Sequence, residues 1–512
     1  MVAPDWTAGY IADIDYTHGF YRELTPSHLR FALLLKGIRP PDGKFTYCEL
    51  GFGQGVGLNL LAAAHPEGDF WGTDFNPTHA ANARLLAESV GADNVHVFDR
   101  SFAEFLETDT PDFDFICLHG VWAWVAPDNQ RLIVEFLRRR LKPRGVVFIS
   151  YNTPPGWAPI LPLRELLKGH AALSNGPLLG RVGQAIDFVG RLQALEAGFF
   201  AVNPAAAAHC RSLRDSDLNY VAHEFFNGIS RPAHFSDVAD ALKAAGLRFA
   251  VSSYLSDQVE CVNLNPEAEQ LLAGISEPLE RESVRDFLVN RSFRRDLFVR
   301  DAARLDPAER MDRLLATRVF LLTPPDAVAL RRRFPVGECE LRAEIYRPLL
   351  EELGSGPRTL AELASCSRLQ GVGVDQLVEA VTFLTGIGRA VVAVDVDPSP
   401  DAAERRWRAI RFNDVVLDRS RLDETMGWLA SPLAAGGVPT RELDRLFLLA
   451  LRRGEGDPPG FANRVLWQKN RRLVRDDGTM LEGEAEMLQE ARRQWQVAEQ
   501  RQLPVWRQLG IA

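Results

Sequence analysis

Phe45-Thr46-Tyr47-Cys48-Glu49-Leu50-Gly51-Phe52-Gly53-Gln54-Gly55-Val56-Gly57, answered by Trp71-Gly72-Thr73-Asp74, is the stretch from which the rest of the chain is read. An apolar run ending in an acid passes into glycines at every second position, and Leu58 to Ala64 then reads as a helix. Glycine allows a tight turn and lets a ligand lie against bare peptide groups. Asp74 falls at the end of the next strand, where a carboxylate can accept both ribose hydroxyls of a nucleoside.

A dinucleotide loop needs a third glycine, so that helix and sheet come close under a pyrophosphate. Here Gly51-x-Gly53 is followed by Val56, Gly53-x-Gly55 by Leu58 and Gly55-x-Gly57 by Leu60, so every frame fails. No Gly-Lys-Ser/Thr of a Walker loop occurs nearby. The bland alternative is a structural turn. With the acids in place, the reading is an S-adenosylmethionine loop using Glu49, Gly51, Gly53, Gly55 and Asp74, with Asp99 and Ser101 toward the adenine. Ser101-x-x-Glu104 is also a helix capping box, which is the competing role for that pair.

Around the loop, Phe70 to Thr73, Val95 to Phe98, Phe113 to Leu118 and Val146 to Ser150 are short apolar runs. Helical patterns over 77–90, 102–107 and 129–141 separate them, which implies βαβ units around a parallel sheet with ligands at the strands' C-terminal ends. The predicted class is therefore α/β, a Rossmann-like sheet with a helical insertion, followed by mostly helical middle, winged-helix and C-terminal domains. The expected boundaries are an N-terminal helical lid at 1–44, the cofactor-binding core at 45–156, the insertion at 157–232 and completion of the sheet at 233–265. A charged helical segment at 266–335, a winged helix at 336–398 with Pro398-Ser399-Pro400 as linker, and a C-terminal helical domain at 399–512 complete the chain.

With 512 residues, 46% hydrophobic and 25% charged, the chain has room for roughly three to five domains. No window approaches the ~18 apolar residues of a membrane span, and Met1 to Asp5 lacks the features of a signal peptide, so a cytoplasmic location is expected. Six single cysteines without a C-x-x-C indicate no metal site and no disulfide frame. The net charge of -9 and the acidic third helix of the winged region (Asp375, Glu379) argue against nucleic-acid binding. His223-Glu224 is followed by Asn227 where a zinc protease helix needs its second histidine.

The chain resembles the bacterial class I methyltransferases that carry a methyltransferase regulatory domain and a C-terminal winged-helix region. The resemblance is carried by residues 13–24 (Asp13-Ile14-Asp15-Tyr16-Thr17-His18-Gly19-Phe20-Tyr21-Arg22-Glu23-Leu24), the Glu49 loop, Leu118 to Val125 and Tyr151 to Trp157. Tyr220 to Phe226 and Arg285 to Arg291 are similar to the regulatory domain. The best-known members methylate lysines of outer-membrane proteins. The resemblance implies methyl transfer from S-adenosylmethionine, with a protein lysine as the expected acceptor. The alternatives are O- or N-methylation of a small molecule or glycan precursor, and a non-catalytic regulatory scaffold. His119 and Tyr151, after the fourth and fifth strands, are the expected catalytic residues, and Tyr16, Tyr21, Trp122 and Asn152 the expected substrate contacts. Against these stand a turn role for His119, with the tryptophans packing under the insertion. A homodimer through the insertion is a further expectation.

Overall fold

The computed structural model describes residues 11, 14, 16–394 and 400–512. Asp13 and Asp15 of the N-terminal stretch, and Pro398 and Ser399 of the linker, lie outside the described residues. Seven strands form the central sheet: β1 (Phe45–Leu50), β2 (Gly68–Thr73), β3 (Val95–Phe98), β4 (Phe113–Leu118), β5 (Leu141–Asn152), β6 (Leu247–Ser252) and β7 (Phe293–Arg300). Their order is β3-β2-β1-β4-β5-β7-β6. β1 to β5 are parallel, and β7 runs antiparallel between β5 and β6. The expected Rossmann-like α/β sheet is thus the one observed.

A parallel sheet buried on both faces needs near-continuous apolar strands, and alternate residues feed separate cores. Tyr47, Phe115, Val146 and Phe148 pack into one core, with Leu58 and Leu61 of the helix Val56–Ala64. Cys48, Ile116, Val147, Ile149 and Tyr151 pack into the other, with Ile133 and Phe136 of the helix Pro127–Arg140. Five helices between Leu161 and Phe226 hold a third core through Leu163, Leu167, Val189 and Phe225. That core is the helical insertion.

Residues 266–335 depart from the helical expectation, because they contain β7. Its sequence, Phe-Arg-Arg-Asp-Leu-Phe-Val-Arg, hides a central strand behind charge. The charges are neutralised locally: buried Arg294 donates to Asp296 Oδ2 at 2.7 Å and to Asp286 Oδ1 at 2.6 Å, and Tyr151 Oη donates to Asp296 Oδ2 at 2.7 Å. The guanidinium also lies over the Phe235 ring at 4.2 Å. Three helices (Ala343–Gly354, Leu360–Ala364, Val374–Gly386) follow with a small sheet of Arg318–Leu321, Arg358–Thr359 and Ala390–Ala393.

The C-terminal segment is not a detached unit. Its helix Pro400–Arg419 lies on the Val56–Ala64 helix, with Arg408 donating to Asn94 Oδ1 at 2.8 Å and Arg411 to the Val90 carbonyl at 2.9 Å. Phe412, Val416 and Leu429 join the core on that side of the sheet.

Removing one member of a buried ion pair strands the other and costs ~3 to 5 kcal/mol. Arg294→Met is therefore expected to lower the thermal unfolding midpoint markedly, whereas substitution of exposed Arg331 is expected to leave it near the wild-type value; calorimetric scans of both variants check this.

Candidate active site

The site is assembled on the C-terminal edge of β1, β2 and β4. Gly51 N–H donates to the Thr73 carbonyl at 2.8 Å, and Asp74 N–H to the Phe98 carbonyl at 3.0 Å, so the two strand ends are locked in step. Asp74 then organises the loop. Its Oδ2 accepts from Gly53 N–H at 2.9 Å, and its Oδ1 accepts from Asn76 N–H at 3.0 Å and meets His79 Nδ1 at 3.2 Å. Two glycines are demanded by geometry. Gly55 (φ 70°) caps the Val56–Ala64 helix, and a Cβ there would stand 2.3 Å from Ala83 Cβ. Gly53 is required by its left-handed backbone (φ 58°) rather than by crowding, since a Cβ there would stand 3.7 Å from the Tyr16 ring.

Residues 16–21 pass over this loop as a strap. Tyr16 N–H donates to His79 Nε2 at 3.3 Å, and Gln54 Nε2 donates to the Tyr16 carbonyl at 3.1 Å. Because His79 Nε2 accepts there, its proton sits on Nδ1 and is donated to Asp74. The far side of the strap meets the insertion, where His223 Nε2 lies 3.0 Å from the Ile14 carbonyl and its ring 5.0 Å from that of Tyr16.

Between loop, strap and insertion lies a cavity lined by Glu49, Asp74, Tyr16, Tyr21, His119 and Glu224, among others. The Tyr21 ring lies against that of His119, centroids 3.6 Å apart and planes tilted by 34°, and His119 Nδ1 lies 3.1 Å from Ser150 Oγ. Burial, and secondarily the positive charge of Arg295, push the His119 imidazole down to about 3, so it is neutral at physiological pH. Burial, and then the neighbouring Asp74, push Glu49 up to about 8.

The sequence-derived residues divide by placement. Glu49, Gly51, Gly53, Gly55, Asp74, Ser101, Tyr16, Tyr21 and His119 all reach the cavity. Ser101 does so with its hydroxyl in a capping box to Glu104. Asp99 stands outside the lining, exposed and paired with Arg84 at 2.8 Å. Tyr151 also stands outside, because successive side chains of a strand point to opposite faces: Ser150 turns toward His119, and Tyr151 turns to Asp296. Trp122 is buried in the opposite core, and its neighbour Trp124 lines the cavity instead. Asn152 reaches the cavity wall indirectly, donating to Glu224 Oε1 at 3.3 Å. Glu224, His79 and Gln54 are lining residues that the motif reading did not select.

A fit to S-adenosylmethionine can be judged from the donor set. Among the described residues no lysine or arginine pairs with Glu49 or Asp74, and two buried carboxylates without such a partner suit a ligand carrying a sulfonium and an ammonium. Asp74 keeps lone pairs for hydroxyl donors, and the glycine backbone leaves room above it. The residues fit the group.

Comparison with known proteins bears on the same region. The family described as "Methyltransferase domain" matches residues 48–147, and "Predicted methyltransferase regulatory domain" matches 217–300. "Uncharacterized protein sll1526" of Synechocystis sp. is 39% identical over 509 residues, covering 99% of this chain and 100% of that protein. "Uncharacterized protein RP789" of Rickettsia prowazekii is 24% identical over 289 residues, 56% of this chain and 51% of that protein. Among solved structures, PKMT2 from Rickettsia typhi in complex with AdoHcy superposes with a TM-score of 0.70 at 19% identity, covering 97% of this chain and 100% of that one. That likeness shows a common fold along nearly the whole chain.

Sheet order, glycine loop and matching domain together define an S-adenosylmethionine-dependent methyltransferase. The chain belongs to the family of the Synechocystis protein sll1526, and it carries both the methyltransferase domain and the predicted methyltransferase regulatory domain.

A cation placed against Glu49 favours its ionised form, so cofactor binding is expected to release a proton below pH 8 and to tighten as pH rises toward 8. Calorimetry at pH 7 in buffers of different ionisation heat should register that proton for the wild type and none for Glu49→Gln; equal release from both would contradict the assignment.

Proposed function

We propose that the protein methylates lysine side chains of a protein substrate. The observation that carries this reading is the character of the cavity wall, which combines the carboxylates Glu49, Asp74 and Glu224 with the rings of Tyr16, Tyr21 and His119. Such a wall favours a cationic acceptor, through charge and through ring faces worth ~0.5 to 2 kcal/mol each. The resemblance to lysine methyltransferases of outer-membrane proteins and the fold shared with PKMT2 support it.

When bound, the cofactor supplies an electrophilic methyl on a sulfonium. In this reading Asp74 accepts the ribose hydroxyls, the Gly51 to Gly55 backbone bears the amino-acid end, Glu49 offsets positive charge, and Ser101 stands at the adenine side. Tyr16 and Tyr21 close the cavity against water. His119, neutral and in ring contact with Tyr21, fixes that ring beside the reacting centre, with reacting atoms held about 3 to 3.5 Å apart in a productive complex.

Two features outside the cavity enter the same reading. In this reading the winged helix expected at 336–398 takes in the strand Arg318–Leu321 and serves a contact other than DNA, which is supported by the burial of Val381 to Gly386 in its third helix and by the acidic Asp375 and Glu379 exposed near its start. Exposed Leu173, Leu195 and Val202 on the insertion suit a homodimer through that segment. Among the described residues no helix is long and apolar enough to cross a membrane, and six free cysteines accord with a cytoplasmic site of action.

Incubation with methyl-labelled cofactor and bacterial extract, followed by intact-mass and peptide analysis, tests the function. Methyl additions on lysines of a protein are the expected result. Label confined to small molecules would replace the acceptor, and binding without any product would make the chain a scaffold.

A further inference from the structure

Resting on the lysine reading above, we propose that Glu224 is the catalytic base that receives the acceptor ammonium in the cavity and takes one of its protons before methyl transfer. The helix Leu218–Phe226 belongs to the predicted regulatory domain rather than to the methyltransferase domain. Its two faces are chemically distinct. Val221, Ala222 and Phe225 fill the core of the insertion, whereas His223, Glu224 and the following Asn227 turn to the cavity. Asn227 follows Glu224 by three residues and His223 by four, so it links the two on one side of the chain, and from that side His223 reaches the Ile14 carbonyl and the Tyr16 ring.

Among the described residues, one hydrogen bond ties Glu224 to the catalytic sheet. Asn152, at the end of β5, donates to its Oε1 at 3.3 Å. Ser150, on the same face of β5, contacts His119, so the carboxylate, the Tyr21 and His119 pair and the strand ends belong to one wall. Among the described residues no lysine, arginine or histidine lies within ion-pair distance of Glu224, and the nearby Arg164 is committed to Glu165 and the Asn227 carbonyl. Burial raises the Glu224 carboxyl to about 7, with Asn152 and Arg164 opposing the rise.

Glu49 is engaged in this reading with the positive charge of the cofactor, and Asp74, His119 and Tyr21 are less suited to the task. Asp74 already accepts from Gly53, Asn76 and His79. His119 is a weak base at about 3, and burial raises the Tyr21 phenol. A carboxylate near 7 narrows the gap to a lysine ammonium, ordinarily about 10.4, and desolvation of the entering ammonium narrows it further.

The step balances. An N–H proton of the ammonium moves to a Glu224 carboxylate oxygen. The neutral amine's lone pair forms the new N–C bond as the S–C bond breaks with its electron pair left on sulfur. The product leaves as a methylammonium, and the Glu224 carboxylic acid returns its proton to water.

The test uses the full chain, methyl-tritiated S-adenosylmethionine and heat-treated bacterial extract, with label counted in lysine after acid hydrolysis. Glu224→Gln keeps the shape and an acceptor for Asn152. Its lysine labelling is expected to fall ~100-fold or more, the usual cost of a lost general base, while calorimetric cofactor affinity stays within a few fold. Glu224→Asp should retain more activity than Glu224→Gln. The wild-type rate should level off above pH 7, and the residual Glu224→Gln rate should keep climbing toward the amine's own pKa. If wild-type protein labels lysine and Glu224→Gln does so equally fast, the base assignment is overturned and the lysine reading stands. If wild-type protein labels no lysine in the extract, the lysine reading falls and takes this assignment with it. Loss of cofactor affinity in Glu224→Gln would also overturn it, making Glu224 part of the cofactor pocket.

Discussion

One carboxylate, that of Asp74, is the constraint on which the rest of the site depends. It is buried at the end of β2 and accepts from the glycine loop, from the first turn of the next helix and from His79. A buried charge costs several kcal/mol unless such donors surround it. Three partners hold it in a single position. Through His79 the same carboxylate reaches the strap, because the imidazole that donates to Asp74 accepts from Tyr16 N–H. Loop, helix and strap therefore share one electrostatic centre, and a nucleoside bound to Asp74 would meet all three in place.

Enclosure comes from the other side of the chain. The insertion between β5 and β6 contributes a helix whose apolar face packs inward and whose polar face closes the cavity. The C-terminal helix Pro400–Arg419 braces the opposite surface, lying on the helix that follows the glycine loop and bonding the end of its neighbour. A site held between such supports loses little positioning freedom when its ligand binds, which is the structural condition for alignment-driven methyl transfer.

Legibility in the sequence followed burial. β1, β3 and β4 are read to the residue because apolar residues recur at every second position or closer (Phe45 and Tyr47, Val95 and Val97, Phe113 and Phe115) despite the Thr46, His96 and Asp114 between them, and the Gly51 to Gly55 turn is legible because positive φ selects glycine. β7 was illegible. Its Arg294 and Asp296 look like surface residues until Asp286 and Tyr151 are brought against them from distant positions. Tyr151 shows a different failure: its place at a strand end is correct, but the parity of β5 assigns Ser150 and not Tyr151 to the side facing His119. Glu224 carried a usable signal in its position directly after His223 and three residues before Asn227, a polar group set among Val221, Ala222, Phe225 and Phe226, which the comparison with a zinc motif obscured.

The most direct test of the central claim is a calorimetric titration of S-adenosylmethionine into wild-type protein and Asp74→Asn, which keeps the size of the side chain and loses its charge and one acceptor. Saturable binding to the wild type is expected, with an affinity roughly tenfold or more lower for the variant, as when hydrogen bonds to a charged acceptor worth ~1.5 to 3 kcal/mol are lost. Equal affinities in two folded proteins would contradict the claim.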